Sequence, residues 1–268
     1  YFGGIDLLNH ISGNRPVAFR MPCCDSINSP SPRFYAELFN RTNPAGQFLQ
    51  IDSSVMCSFT PRDPSLPREA VWTEEGDERF ARYLPFESFV TTIENYPYPY
   101  VIGNLCWEFP CMVPSDWEAQ NIQGNNHPDT VRDWKVALDL TVQKKGVFNL
   151  VLHPHGWIRN DQVIEFIDDA RERYGDRVLF LNFAEALERM NEHLLRGEPL
   201  RAADRSDNGV RLVELNGDDY LDVVIGNGRT QLTRVWDPVS GRWRESGFPA
   251  QLVDSNALET GVKFGRMD

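Results

Sequence analysis

Three polar residues stand just past three runs of strand-type residues. Arg20 follows Val17–Phe19, Asp52 follows Phe48–Ile51, and His153 follows Val147–Leu152. Side chains just beyond the C-terminal ends of parallel strands face the reaction in β/α proteins. An imidazole at that edge can hand a proton to a leaving group near neutral pH. A guanidinium can orient a carboxylate and hold it ionised. Asp52 is the carboxylate expected to orient His153. The third run continues as His153-Pro154-His155-Gly156-Trp157, so a second imidazole and an indole follow at once. Each residue alone is equally suited to a structural hydrogen bond, and the case for a site rests on three of them sharing one edge.

A second constellation is Glu214-Leu215-Asn216-Gly217-Asp218-Asp219-Tyr220-Leu221-Asp222. Side-chain oxygens of Glu214, Asn216, Asp218 and Asp222, with the Tyr220 carbonyl, form the oxygen-rich set that a hard cation such as calcium takes. Strand-type runs flank the loop, and there is neither the glycine nor the distal glutamate of an EF-hand. The opposing reading is a solvated acidic turn.

The elements that must hold these residues alternate over residues 1–200. Ser31-Pro32 starts a helix running to about Asn40, with Ser as cap and Pro in the first turn. Tyr100–Ile102 is a further strand. Asp129 or Thr130 caps a helix that Gly146 ends. Asp161–Tyr174 is a helix closed by Gly175, Val178–Leu181 a strand, and Asn182 with Glu185 a capping-box variant opening the last helix. Such alternation predicts an α/β fold with parallel strands, half or more of a β/α barrel. Between Thr60 and Asn126 the pattern breaks into a stretch rich in proline and aromatic residues. Irregular insertions of that length are usually functional loops. Its aromatics either stack on sugar or pack the loop down. Glu198–Asn208 reads as a linker. Residues 205–268 then turn to period two, a small all-β segment of marginal size.

The 268 residues carry a formal net charge of −12, which argues against nucleic acid or an anionic membrane as partner. No apolar run reaches the ~20 residues of a membrane span. Five cysteines (Cys23, Cys24, Cys57, Cys106 and Cys111) lack the spacing of a metal site. Cys106 and Cys111 either close a small disulfide loop or are buried small side chains. Tyr1 falls in mid-pattern, which suggests an N-terminally incomplete barrel.

Arg20-Met21-Pro22 after Pro16-Val17-Ala18-Phe19, with Leu152-His153 far downstream, resembles two motifs of the polysaccharide deacetylases (NodB-homology, carbohydrate esterase family four). The run-in Leu7–Gly13 and the segment ending at Met190 also resemble that family, so the likeness covers roughly residues 1–195. It implies a deacetylase-type β/α barrel and a metal-dependent hydrolase that removes acetyl groups from an amino-sugar polysaccharide. It gives His153 the general-acid role, Arg20 the base-orienting role, and Leu152 a wall of the acetyl pocket, with Trp157 beside it. The family's zinc or other divalent metal is held by an Asp and an H-x-x-x-H motif. No H-x-x-x-H occurs in this sequence, so the resemblance implies only the acid half of the site. The family's fourth motif is reduced here to Ile51-Asp52-Ser53-Ser54-Val55. The acidic loop, continued by Asp222–Asn227, resembles an FG-GAP repeat, the calcium-loop hairpin of integrin-type β-propellers, with Glu214 in place of the usual Asp. The resemblances together imply an extracellular or periplasmic protein acting on an acetylated polysaccharide. The competing reading is a non-catalytic glycan-binding or scaffold protein that keeps the fold. A third is a cytosolic redox protein using Cys23 and Cys24.

Overall fold

A computed structural model describes residues 2–24, 31–84 and 92–265. The chain is mixed α/β. Its elements run α1 (Phe2–Asn9), β1 (Ala18–Phe19), α2 (Pro32–Phe39), β2 (Ile51–Asp52), β3 (Met56–Ser58), α3 (Arg68–Val71), β4 (Thr92–Glu94), β5 (Tyr100–Ile102), β6 (Cys106–Glu108) and β7 (Cys111–Met112). Then come α4 (Asp116–Gln123), α5 (Pro128–Lys144), α6 (Asn160–Tyr174), α7 (Phe183–Arg189), and β8 (Val210–Val213), β9 (Asp222–Gly226), β10 (Gln231–Asp237) and β11 (Arg242–Gly247).

The strands that position the site are two bent parallel runs. β2 pairs with β6, and β3 pairs with β7. Between them the register slips: Ser53, Ser54 and Val55 stand opposite only Phe109 and Pro110. Pro110 has no N–H for the ladder, so the gap falls where a ladder bond is already lost. An inserted residue of this kind bends the strand and re-aims its side chains. β1 flanks β2, β4 flanks β3, and antiparallel β5 flanks β6.

The stretch expected to be an irregular insertion therefore holds β4 to β7. Pro110 and Pro114, together with the short strands, hid it, because proline within an apolar run argues against a central strand. Val147–Leu152 makes no ladder of its own. It runs beside β7, receiving bonds from Met112 N–H to Asn149 O (2.8 Å) and Asp116 N–H to Val151 O (3.3 Å). Val178–Leu181 forms no strand, and Leu179, Phe180 and Leu181 are exposed. A strand needs a laddered neighbour, and among the described residues this segment has none.

Helix starts follow local chemistry. Ser31 caps α2 ahead of Pro32, and Asn182 with Glu185 forms a reciprocal capping box at α7. His127, rather than Asp129 or Thr130, caps α5, because Pro128 takes the first helical position. Gly146 sits against the Tyr96–Pro99 loop. A Cβ there would lie 2.6 Å from Pro97 O, while Val147 N–H donates to that same carbonyl at 2.7 Å. Gly146→Ala should thus cost about 1–3 kcal/mol through overpacking. A thermal melt checks it, and an unchanged Tm would mean the loop yields freely.

Strands β8 to β11 form an antiparallel sheet in chain order. Its Val210, Val223 and Ile225 share one apolar cluster with Ile51, Trp107, Phe109 and Leu187. Residues 198–208 bridge the two parts. Arg201 donates to Phe39 O (2.6 Å) and to Asn40 Oδ1 (2.9 Å), and Glu198 accepts from Asn208, Arg229 and Thr230. Polar composition suggested a linker here, but those polar groups make buried hydrogen bonds instead.

Candidate active site

His153 is gripped by Asp116. Both the His153 N–H and ring Nδ1 lie 2.7 Å from the two oxygens of this carboxylate. Asp116 is fully buried in the first turn of α4, just past β7. Ser115 and Glu118 form a capping box there, so the Asp116 backbone is fixed where the helix N-terminus favours a carboxylate. The His153 side chain keeps 37% exposure. With Nδ1 committed to Asp116, Nε2 is the nitrogen left for a substrate. A carboxylate in this position fixes the tautomer and the orientation of the ring.

Two more rings complete the patch. The His155 ring stacks on His153 at 6.0 Å, and Trp157 lies 5.0 Å from His153 and 4.9 Å from His155. Leu152, assigned to the pocket, is exposed next to them.

Asp52 does not orient His153. It is fully buried, accepting from Tyr35 Oη at 2.9 Å and Ser54 Oγ at 2.8 Å. The strand runs one residue further than expected, so Asp52 lies inside the ladder opposite Glu108 instead of beyond its end. Burial drives the Glu108 carboxyl well above its ordinary pKa, and the charge of Asp52 and a hydrogen bond with it add to that. Glu108 Oε1 accepts from Val55 N–H at 3.1 Å, while Oε2 finds no protein donor.

Arg20 pairs with no carboxylate among the described residues. Its Nε donates to Ser53 O (2.9 Å) and its Nη2 to Ser53 Oγ (2.8 Å) and Asn149 Oδ1 (3.2 Å). Ser53 O is a carbonyl that the bulge releases from the ladder, and the guanidinium satisfies it. Cys111 donates to the same oxygen at 3.0 Å. Arg20, Ser53, Asn149 and Cys111 are thus one hydrogen-bonded cluster at the strand ends, with Asp116 and His153 on neighbouring backbone. Asp116, Asn149 and Ser53 were missed in the sequence. The available signal for Asp116 was Ser115-x-x-Glu118 directly after the apolar run Cys111–Val113.

The acidic loop connects β8 to β9. Glu214 Oε1 accepts from Asn216 N–H (2.7 Å) and from Gly217 N–H, and Asp218 Oδ1 accepts from Tyr220 N–H (2.9 Å). Asp222 accepts from Leu215 N–H (3.0 Å) and Trp236 N–H (2.9 Å), so it anchors the hairpin. Burial raises its pKa, and the charges of Asp218 and Glu214 add to this. Among the described residues no three carboxylate, thiol or imidazole groups converge as a metal-binding cluster. The Tyr220 ring rests on Tyr98 at 5.8 Å.

No family model, no curated protein and no solved structure matches this chain. No helix of the described residues is long and apolar enough to cross a membrane.

Proposed function

We propose that the Asp116–His153 pair is the proton-donating half of a hydrolase that removes acetyl groups from an amino-sugar polysaccharide. The observation that carries the reading is the two-point grip of Asp116 on His153. It leaves Nε2 as the ring nitrogen outside the grip, on a side chain that is 37% exposed. The motif resemblance around Arg20 and Leu152-His153 supplies the reaction class. As water adds to the acetyl carbonyl and the C–N bond breaks, Nε2 gives its proton to the departing sugar nitrogen, and Asp116 holds the ring in orientation for that transfer. Trp157, flanked by the two imidazoles, offers a flat face to a pyranose ring. The fold assigned to residues 1–200 is a partial deacetylase-type barrel, and the work is on polymer outside the cytoplasm.

The family's zinc does not fit the residues present. No H-x-x-x-H occurs, and Arg20 has neutral acceptors where that family supplies an acid, so no step is routed through a metal. This same observation favours a second reading, a glycan-binding protein that keeps the fold without turnover. Acetate release from acetylated chitooligosaccharide by the protein as the cell makes it separates them. Release supports the hydrolase, and binding without release supports the binder.

For the C-terminal sheet the proposal is an FG-GAP-like propeller blade with calcium in the loop. Glu214, Asn216, Asp218, the Tyr220 carbonyl and Asp222 would surround the ion. Four carboxylates (Glu214, Asp218, Asp219 and Asp222) crowd this turn, and a cation relieves their repulsion. Free calcium at 100 times the dissociation constant should stabilise the hairpin by about 2.7 kcal/mol. Slower proteolysis after Gly209 with calcium than with chelator, abolished by Asp218→Ala, is the expected outcome. Equal cleavage rates would reduce the loop to a solvated turn.

A further inference from the structure

We propose that the groove lined by Val147–Leu150 and Val178–Leu181 receives an extended peptide strand of a partner protein, with apolar residues along its middle and acidic residues at its ends. Both runs have the composition of strands, and neither is a strand of the fold.

The backbone supplies the first argument. Met112 N–H donates to Asn149 O and Asp116 N–H to Val151 O, so Asn149 and Val151 face β7. Backbone groups alternate in direction along an extended run, and Phe148 and Leu150 therefore turn theirs to the opposite edge. Among the described residues, no backbone hydrogen bond is made by Phe148, Leu150, Leu179, Phe180 or Leu181. Unpaired edges of this kind are templates for an added strand.

The second argument is the surface between these edges. The groove has a volume of about 940 Å³, and Leu138, Val142 and Phe166 give it an apolar wall. Leu179, Phe180 and Leu181 are 56%, 50% and 44% exposed. Three consecutive exposed apolar side chains form a patch rather than the scattered single residues of an ordinary surface.

Charge selects the occupant. The chain has 39 Asp and Glu residues, and none of them lines the groove. Lys145 and Arg177 do line it. Both are exposed, and neither pairs with a carboxylate among the described residues. A strand with an apolar middle and acidic ends complements the wall and the two cations together. A long-chain carboxylate would match them equally but would leave the backbone edges unpaired, which favours the peptide. Main-chain bonds supply most of the affinity in strand addition, so binding should tolerate different apolar sequences.

The experiment titrates the native full chain into a fluorescein-labelled peptide, Glu-Val-Thr-Ile-Val-Asp, and follows anisotropy. Two versions N-methylated at alternate residues, one in each register, remove backbone donors. A third version carries Lys at both ends. Saturable one-to-one binding is expected, weakened about tenfold or more by N-methylation in one register and by the Lys ends. Arg177→Glu and Leu179→Asp, both at exposed positions, should weaken it similarly, and a thermal melt confirms that each variant is folded. Bound peptide should slow amide exchange over residues 147–150 and 178–181. Failure to saturate at millimolar protein, or protection confined to other segments, would overturn the proposal. Equal affinity for both N-methylated peptides, with dodecanoate bound more tightly, would assign the groove to a fatty chain instead. A concentration-dependent dimer split by Leu179→Asp would assign it to a second copy of this chain. Neither variant alters Asp116 or His153, so acetate release is tested separately.

Discussion

Asp116→Ala lowers acetate release from acetylated chitooligosaccharide about 10²–10⁴-fold, close to the loss for His153→Ala. Asp116 touches no substrate in this account. It accepts from both His153 N–H and Nδ1, so without it the ring loses its tautomer and its orientation together. The two residues act as one unit, and their effects should not add. The double variant should be no slower than the slower single one. Asp116→Asn keeps the shape but loses the charge, and should recover little. Ring ¹⁵N spectra give a readout independent of turnover. They should detect a proton on Nδ1 of His153 in the starting protein and its redistribution in Asp116→Ala. Additive losses, or a ring unaffected by the substitution, would detach Asp116 from the mechanism.

The second large effect is on stability. Glu108 is wholly buried beside Asp52, and burial, followed by the Asp52 charge, raises its pKa above the ordinary 4.5. A carboxyl raised in the folded state binds its proton more tightly there than in the unfolded chain. Its contribution is therefore fully present below pH ~4.5 and is lost as pH rises toward the folded value. Glu108→Gln removes this dependence. The amide oxygen still accepts from Val55 N–H, and the amide nitrogen offers Asp52 a donor that does not titrate. Relative to the starting protein, the variant should gain about 1.4 kcal/mol for each pH unit above the unfolded pKa, up to the folded one. Urea melts at several pH values measure it. Parallel curves for the two proteins would mean that Glu108 is ionised in the fold.

Several helix starts were legible because caps are local signals, whereas apolar runs such as Val147–Leu152 and Val178–Leu181 did not become laddered strands. Ser31-Pro32 and Asn182 with Glu185 start helices where they were expected, and residues 205–268 hold the expected short strands. His153 was legible from a local signal too, at the end of a strongly apolar run. Its partner was not. Asp116 follows a strand that Pro110 and Pro114 disguise, and it meets His153 only through tertiary structure. Asp52 was misassigned because a one-residue shift in the strand end moves a side chain from the edge into the ladder. The bulge that frees Ser53 O for Arg20 needs the register of two distant strands, and neither strand alone announces it. Residues 198–208 misled by composition, since polar residues that bond across a junction resemble those of a free tether. Trp157 was read from its place in the motif, and the structure adds the two imidazoles that frame it.

The most direct test is the initial rate of acetate release by the protein as the cell makes it, compared with His153→Ala at matched substrate binding. The account predicts clear release by the first, and a 10²–10⁴-fold drop in the second with the affinity for chitooligosaccharide little changed. Equal rates in the two proteins would contradict it by removing His153 from the chemistry. Absence of release from both, with binding intact, would contradict it by leaving a glycan-binding protein.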